Sequence, residues 1–266
     1  MRVSRKKIGR FIAATLWISA GITLIVFLVA AMRMRDDKLC SGLNIEITDT
    51  KNNLFADKND IGGMISYMVS GINGRPISDF NLQQMEKTLE GNIWIKDAEL
   101  FFDNNEILQV KVKEREPVAR IFTQSGKSYY IDKAFVRLPL STKFSARVTV
   151  FTNCPLDKTK WNAEDSTVLA QVTAISSFLM NDDFWMAQIE QVDYTAQKQF
   201  VMYPKIGDHA IILGDGNDLE SKFRKLFIFY KEVLAKSGWD KYSTINVQFK
   251  GQVVAVPGNQ QKMSVN

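Results

Sequence analysis

The sequence predicts an α+β protein: a single N-terminal transmembrane helix, a β-α-α-β-β domain, then a mixed β domain with two helices. Three observations carry this. Residues 11–32 hold no charge. Residues 43–114 pass through strand, helix and strand periodicities in one compact stretch. Beyond Pro117, short strand patterns recur, interrupted by two long apolar helical faces.

The first element is the uncharged run. Its 22 residues span about 33 Å as a helix, enough for a hydrocarbon core of about 30 Å. A cleavable signal peptide is the competing reading, since Val29-Ala30-Ala31 resembles a cleavage site. Signal peptides, however, have apolar cores of only about 7–15 residues. The chain carries 34 basic and 29 acidic side chains, and the excess of five equals the content of the first ten residues: Arg2, Arg5, Lys6, Lys7 and Arg10. Basic residues before the span place residues 1–10 inside as a cytoplasmic tail and residues 33–266 outside the cytoplasmic membrane, in the periplasm or its equivalent. The remainder is electrically neutral, so no nucleic-acid partner is expected.

Residues 33–42 then read as a juxtamembrane linker. Leu43, Ile45 and Ile47 alternate with polar residues as a strand. Asp57 stands at an N-cap position with Asp60 three residues on, ahead of Ile61, Ile65, Met68 and Val69 at helical spacing; Gly62 and Gly63 weaken this helix. Asn81 and Gln84 open a second helix striped by Leu82, Met85 and Leu89. Ala98, Leu100 and Phe102, then Leu108, Val110 and Val112, make a hairpin whose Asn104-Asn105 turn is expected to be left-handed.

Pro117 breaks that pairing and marks a boundary, so residues 115–256 form the β domain. Strands are expected over 118–122, 128–131, 135–138, 147–152, 189–194, 200–203 and 210–213. Val168, Leu169, Val172, Ile175 and Leu179 define one helix; Leu219, Phe223, Leu226, Tyr230, Val233 and Leu234 define another, ended by Gly238. Residues 244–256 close the domain, with Ile245, Val247 and Phe249 alternating. They read either as an internal core strand or as an edge open to a partner strand. Residues 257–266 are small and polar, and are expected to be a disordered tail.

The residue types argue against catalysis, and no cofactor or metal is expected. His209 is the one histidine, which excludes a multi-histidine metal site; flanked by Gly207-Asp208, it reads as an exposed loop residue. Gly214-Asp215-Gly216-Asn217 lacks the lysine of a phosphate loop and reads as a strand-to-helix turn. Asp36-Asp37 and Asp182-Asp183 read as solvated flank and loop residues rather than a hydrolytic pair. Cys40 and Cys154 can pair in an oxidising compartment, or remain idle buried thiols.

The order of these elements resembles the FtsQ/DivIB family of bacterial cell-division proteins. Trp94-Ile95-Lys96-Asp97-Ala98-Glu99-Leu100 resembles the strand entry of the family's POTRA domain. Residues 108–120, with Glu114-Arg115-Glu116-Pro117, resemble the passage into its β domain. Ser128-Tyr129-Tyr130-Ile131-Asp132 with Arg137-Leu138-Pro139-Leu140 is similar to the first β-domain hairpin. Residues 219–225 and Trp239-Asp240-Lys241-Tyr242 resemble the late helix and its exit, and residues 245–249 and 251–255 the terminal strands. The segment 142–194 matches no sharp family motif.

The resemblance implies a POTRA-like domain over 43–114 and a non-catalytic divisome scaffold at the division septum. It further implies binding to FtsB/DivIC-like and FtsL-like bitopic coiled-coil proteins, and through them a link to septal peptidoglycan synthases. Carried onto this chain, the contact falls on Tyr242, Phe249, Lys250, Gly251, Gln252, Val253, Val254, Ala255 and Val256. The alternatives are an anchored envelope-polymer hydrolase and another POTRA-containing envelope assembly protein. An outer-membrane barrel is disfavoured by the two soluble-type helices of the β domain.

Overall fold

The computed structural model describes residues 15–28, 38–48 and 55–258. Residues 15–28 are helical (α1), with Leu16, Trp17, Ile25 and Phe27 exposed. Among the described residues, no helix is long and apolar enough to cross a membrane. The rest of the expected span 11–32, the tail 1–10, residues 33–37 of the expected 33–42 linker and residues 259–266 lie outside the described residues. The chain divides into two compact units, 1–114 and 115–266.

In the first unit, β1 (Gly42–Thr48) is followed by α2 (Lys58–Met68), a 3₁₀ turn (Ile77–Asp79), α3 (Leu82–Glu90), β2 (Ile95–Phe102) and β3 (Ile107–Glu114). The three strands form a sheet in the order β1-β3-β2, with β1 parallel and β2 antiparallel to β3. The Asp57 cap works as its spacing implies: Asp60 N donates to the Asp57 carboxylate at 2.7 Å, and Asp57 N donates back to Asp60 at 3.2 Å. Two orphan amides of the first turn are thereby satisfied. That cap, with Ile61 and Ile65 fully buried, outweighs the helix-weakening Gly62 and Gly63. The hairpin turn departs from expectation, because Glu106, not an asparagine, is left-handed (φ 59°). The cause is Asp103, whose carboxylate accepts from Asn105 N and Ile107 N, both at 2.9 Å. Those amide bonds, Ile107's foremost, also lower the Asp103 pKa.

Beside this sheet, Glu114 is buried and accepts hydrogen bonds from Ala56 N at 2.8 Å and from Phe55 N. The Phe55 ring stacks on Trp94 with centroids 3.9 Å apart. A carboxylate in an apolar setting persists when such donors satisfy it.

The second unit is built on a nine-stranded mixed sheet ordered β12-β11-β10-β9-β8-β7-β4-β5-β6. Its strands are β4 (Pro117–Thr123), β5 (Ser128–Asp132), β6 (Arg137–Leu138), β7 (Thr149–Cys154), β8 (Ile189–Tyr194), β9 (Phe200–Pro204), β10 (Ala210–Gly214), β11 (Tyr242–Asn246) and β12 (Val254–Pro257). The helices are α4 (Ala163–Met180), the short α5 (Asp183–Gln188), and α6 (Leu219–Phe229), which continues through a π-helical turn at Tyr230–Leu234 into a last α-turn, α7 (Ala235–Ser237). Pairings β4–β7, β7–β8 and β10–β11 are parallel. The parallel β7–β8 and β10–β11 pairs are each bridged by helices, as parallel connections require. One core joins Val168, Leu169 and Val172 of α4, Phe223 and Leu226 of α6, and Phe151, Phe200, Ile211 and Ile245 of the strands. Phe178 stacks on Phe223 at 4.5 Å, locking α4 against α6.

Three further features correct the sequence reading. His209 is buried at 1% exposure rather than lying in an exposed loop. Residues 244–256 are two strands, β11 and β12, joined by a turn, not one alternating strand. Pro257 closes β12 rather than opening a tail.

Candidate partner-binding edge

Helix α6 presents three kinds of side chain. Phe223, Leu226 and Tyr230 are buried, Lys225 and Phe229 are half-buried, and Phe227 and Ile228 face solvent. Lys222 is buried and satisfied, its ammonium reaching Asp215 O at 3.0 Å and Asp215 Oδ1 at 2.7 Å. That bond is the foremost cause lowering the Asp215 pKa. Asp215 thus serves the turn before α6. Gly216 packs there so closely that an added Cβ would stand 2.9 Å from Gln171 Cβ.

At the end of α6, His209 Nε2 lies 2.9 Å from the Tyr230 hydroxyl, and Trp239 packs edge-on against the Tyr230 ring. His209 Nδ1 turns toward the Trp239 carbonyl without closing a well-formed hydrogen bond. Burial is the main cause that lowers the His209 pKa, opposed by the Trp239 carbonyl and by Asp240 and Asp208.

From this corner the chain enters β11, which pairs in parallel with β10 (Ile211 opposite Ile245). β12 then returns antiparallel, with Val254, Ala255 and Val256 opposite Asn246, Ile245 and Thr244. Because β12 ends the sheet order, its outer side carries no strand among the described residues. Val254 and Val256 are 42% and 51% exposed, and Ala255 is half-buried. Backbone donors and acceptors beside exposed valines are what a partner strand requires.

The residues expected from the family resemblance all lie on this hairpin, though not together. Tyr242 opens β11 opposite Pro257, its ring 5.4 Å from Phe229 and under the Lys241 ammonium. Phe249, Lys250 and Gln252 are exposed in the turn, where Gly251 takes the left-handed φ of 76° that glycine tolerates best. Val253 packs partly on the core. The turn is tied to α6: the Lys225 ammonium donates to Val247 O at 2.9 Å, to Gln252 O at 3.4 Å, and to Phe249 O. Between them, α6 and the turn enclose a groove of about 210 Å³, with Ile228, Phe229, Val233 and Val253 as its apolar lining. Lys225 and Ile228 are absent from the sequence expectation. Helical spacing puts them on one side of α6, yet nothing local says that the turn would lie there.

Of the acidic pairs weighed for chemistry, Asp36-Asp37 lies outside the described residues. Asp182 caps α5 by accepting from Phe184 N at 3.0 Å and Trp185 N at 3.1 Å. Cys40 and Cys154 are free and buried, and burial pushes the Cys154 thiol up to about 12. Among the described residues, no group of three or more His, Cys, Asp or Glu could hold a metal ion.

Two family models match the chain. One, described as "FtsQ/DivIB, C-terminal related", covers residues 116–256. The other, described as a POTRA-like domain, covers residues 38–113. No curated protein matches significantly. The first match alone spans more than half of the chain, and the two follow each other in the order that the sequence motifs give; the chain belongs to the FtsQ/DivIB family of cell-division proteins.

Proposed function

We propose that this protein is a non-catalytic divisome scaffold that captures a partner strand on the outer side of β12. In this reading residues 11–32 anchor it in the cytoplasmic membrane and the two folded units stand outside, at the division septum. The partners are bitopic coiled-coil proteins of the FtsB/DivIC and FtsL types, which connect it to the septal peptidoglycan synthases. The observation that carries the proposal is the terminal edge: among the described residues β12 has a neighbour on one side only, and its valines are exposed. Support for the anchor is the charge-free run itself, together with the exposed apolar side chains of α1. The POTRA-like unit adds two further edges, β1 and β2, suited to a second docking surface.

The test is photo-crosslinking in membranes, with a photoreactive residue at exposed Gln252 and a control at exposed Lys127 on the β4–β5 turn. Capture of the cell's FtsB/DivIC-like protein from Gln252 and not from Lys127 is the expected result. Equal capture from both positions moves the contact off the hairpin. Capture from neither, with envelope glycans cut by the purified protein, replaces the scaffold by an anchored hydrolase.

A further inference from the structure

Lysines on the outer side of a helix ordinarily extend into water, where the ammonium is best solvated. Lys225 instead bends across to the 247–252 turn, and its three N–H donors meet three main-chain acceptors: Val247 O, Phe249 O and Gln252 O. Among the described residues its partners are these carbonyl dipoles, which take over part of its hydration. Burial accordingly lowers its pKa, and neighbouring Lys222 adds to the effect.

These carbonyls stand where the chain has left the ladder. β11 ends at Asn246 and β12 begins at Val254. A connection of that length does not by itself fix register as a two-residue hairpin turn does. Register decides what the edge shows. A slip of one residue would turn Ala255 outward and Val254 and Val256 toward the opposite face. The left-handed Gly251 shapes the turn, and among the described residues Lys225 is the side chain that gathers both of its arms.

We propose that Lys225 is the positioning residue of the docking edge: one ammonium on α6 fixes the turn, and so the register in which β12 offers its outer side to a partner strand. The inference rests on the docking reading above. It makes α6 part of the binding apparatus without requiring it to touch the partner, and it explains why the turn is drawn against the helix.

The test uses the full-length protein in detergent, unmodified and as Lys225→Met and Lys225→Arg. It follows amide exchange over 247–258 together with capture of the FtsB/DivIC-like protein from Gln252. Bonds to a charged donor predict exchange about tenfold faster and capture about tenfold weaker in Lys225→Met, with α4 and β4 protection unchanged. The guanidinium of Lys225→Arg keeps donors and charge, and restores most of both. Unchanged exchange in Lys225→Met overturns the inference. So does faster exchange with capture as strong as in the unmodified protein. Should Lys225→Met lose protection throughout, Lys225→Gln, which retains two donors, decides on the same readouts. If the unmodified protein itself captures nothing, the docking reading fails and this inference with it; capture undiminished by the variants removes the inference alone.

Discussion

His209 and Tyr230 hold each other in the core of the second unit, Nε2 2.9 Å from the hydroxyl. The pair joins the residue just before β10 to the start of the π-helical turn, and Trp239 covers it from the segment that leads into β11. The corner from which the terminal hairpin departs is therefore pinned by a neutral imidazole.

Acid should loosen that corner. Burial puts the His209 pKa below its ordinary 6.5, so between the two values the unfolded chain binds a proton that the folded chain does not. Stability is then complete above about pH 6.5 and falls as pH drops through the interval toward the lowered value. Thermal melts at pH 7.5 and 5.5 check this. The unmodified protein should lose melting temperature on acidification, and His209→Gln, which does not titrate, should lose less. Equal losses would remove His209 as the cause.

Charge on the outward face of β12 should separate docking from folding. Val254 and Val256 are half in solvent, so lysine at both positions costs little burial, about 1 kcal/mol or less in total. Lysines along an edge are also what disfavours strand addition. Capture from Gln252 should fall at least several-fold in Val254→Lys/Val256→Lys while the melting temperature holds. A fall in both together would mean that the valines belong to the core.

Gly216→Ala should destabilise the second unit by about 1–3 kcal/mol through overpacking. The added methyl would stand 2.9 Å from Gln171 Cβ and 3.0 Å from Gln171 Cα, and the latter is backbone of α4 that cannot swing aside. Denaturant unfolding of the variant measures the cost. An unchanged midpoint would show that α4 gives way freely.

Cys154 should resist alkylation at pH 8 in the folded protein. Its thiol is buried and pushed up to about 12, leaving almost no thiolate. Iodoacetamide labelling followed by mass spectrometry should modify Cys154 only once denaturant is added. Rapid native labelling would mean that β7 opens locally.

How much of this was legible in the sequence depended on how local its cause was. The Asp57 cap, the hairpin of β2 and β3, and the apolar stripes of α4 and α6 are decided within a few residues, and the structure has each of them. Strand order was not legible. Nothing near residues 117–123 says that β4 will pair in parallel with β7, because β5, β6 and residues 139–148 lie between them in the chain. The short α5 escaped because Asp183–Gln188 is too brief to show a period. His209 misled because its flanking Gly207-Asp208 reads as a loop, while its burial is imposed by Tyr230 and Trp239 from later in the chain. At the candidate site, alternation marked the terminal strands but did not decide between edge and interior. Lys225 left no mark, since its partners are main-chain carbonyls that exist at every position.

The sheet order has a genetic corollary. The outermost strand, β12, is also the last described one, so the whole of the proposed docking edge is written in a few codons, those for residues 254–257. A stop codon after Lys250 would delete β12 yet spare α4, α6 and every strand through β11. On the proposed docking reading, such an allele yields a domain able to accumulate and unable to recruit. Frameshifts within the codons for residues 251–257 should thus behave as separation-of-function mutations if the proposed docking edge is right.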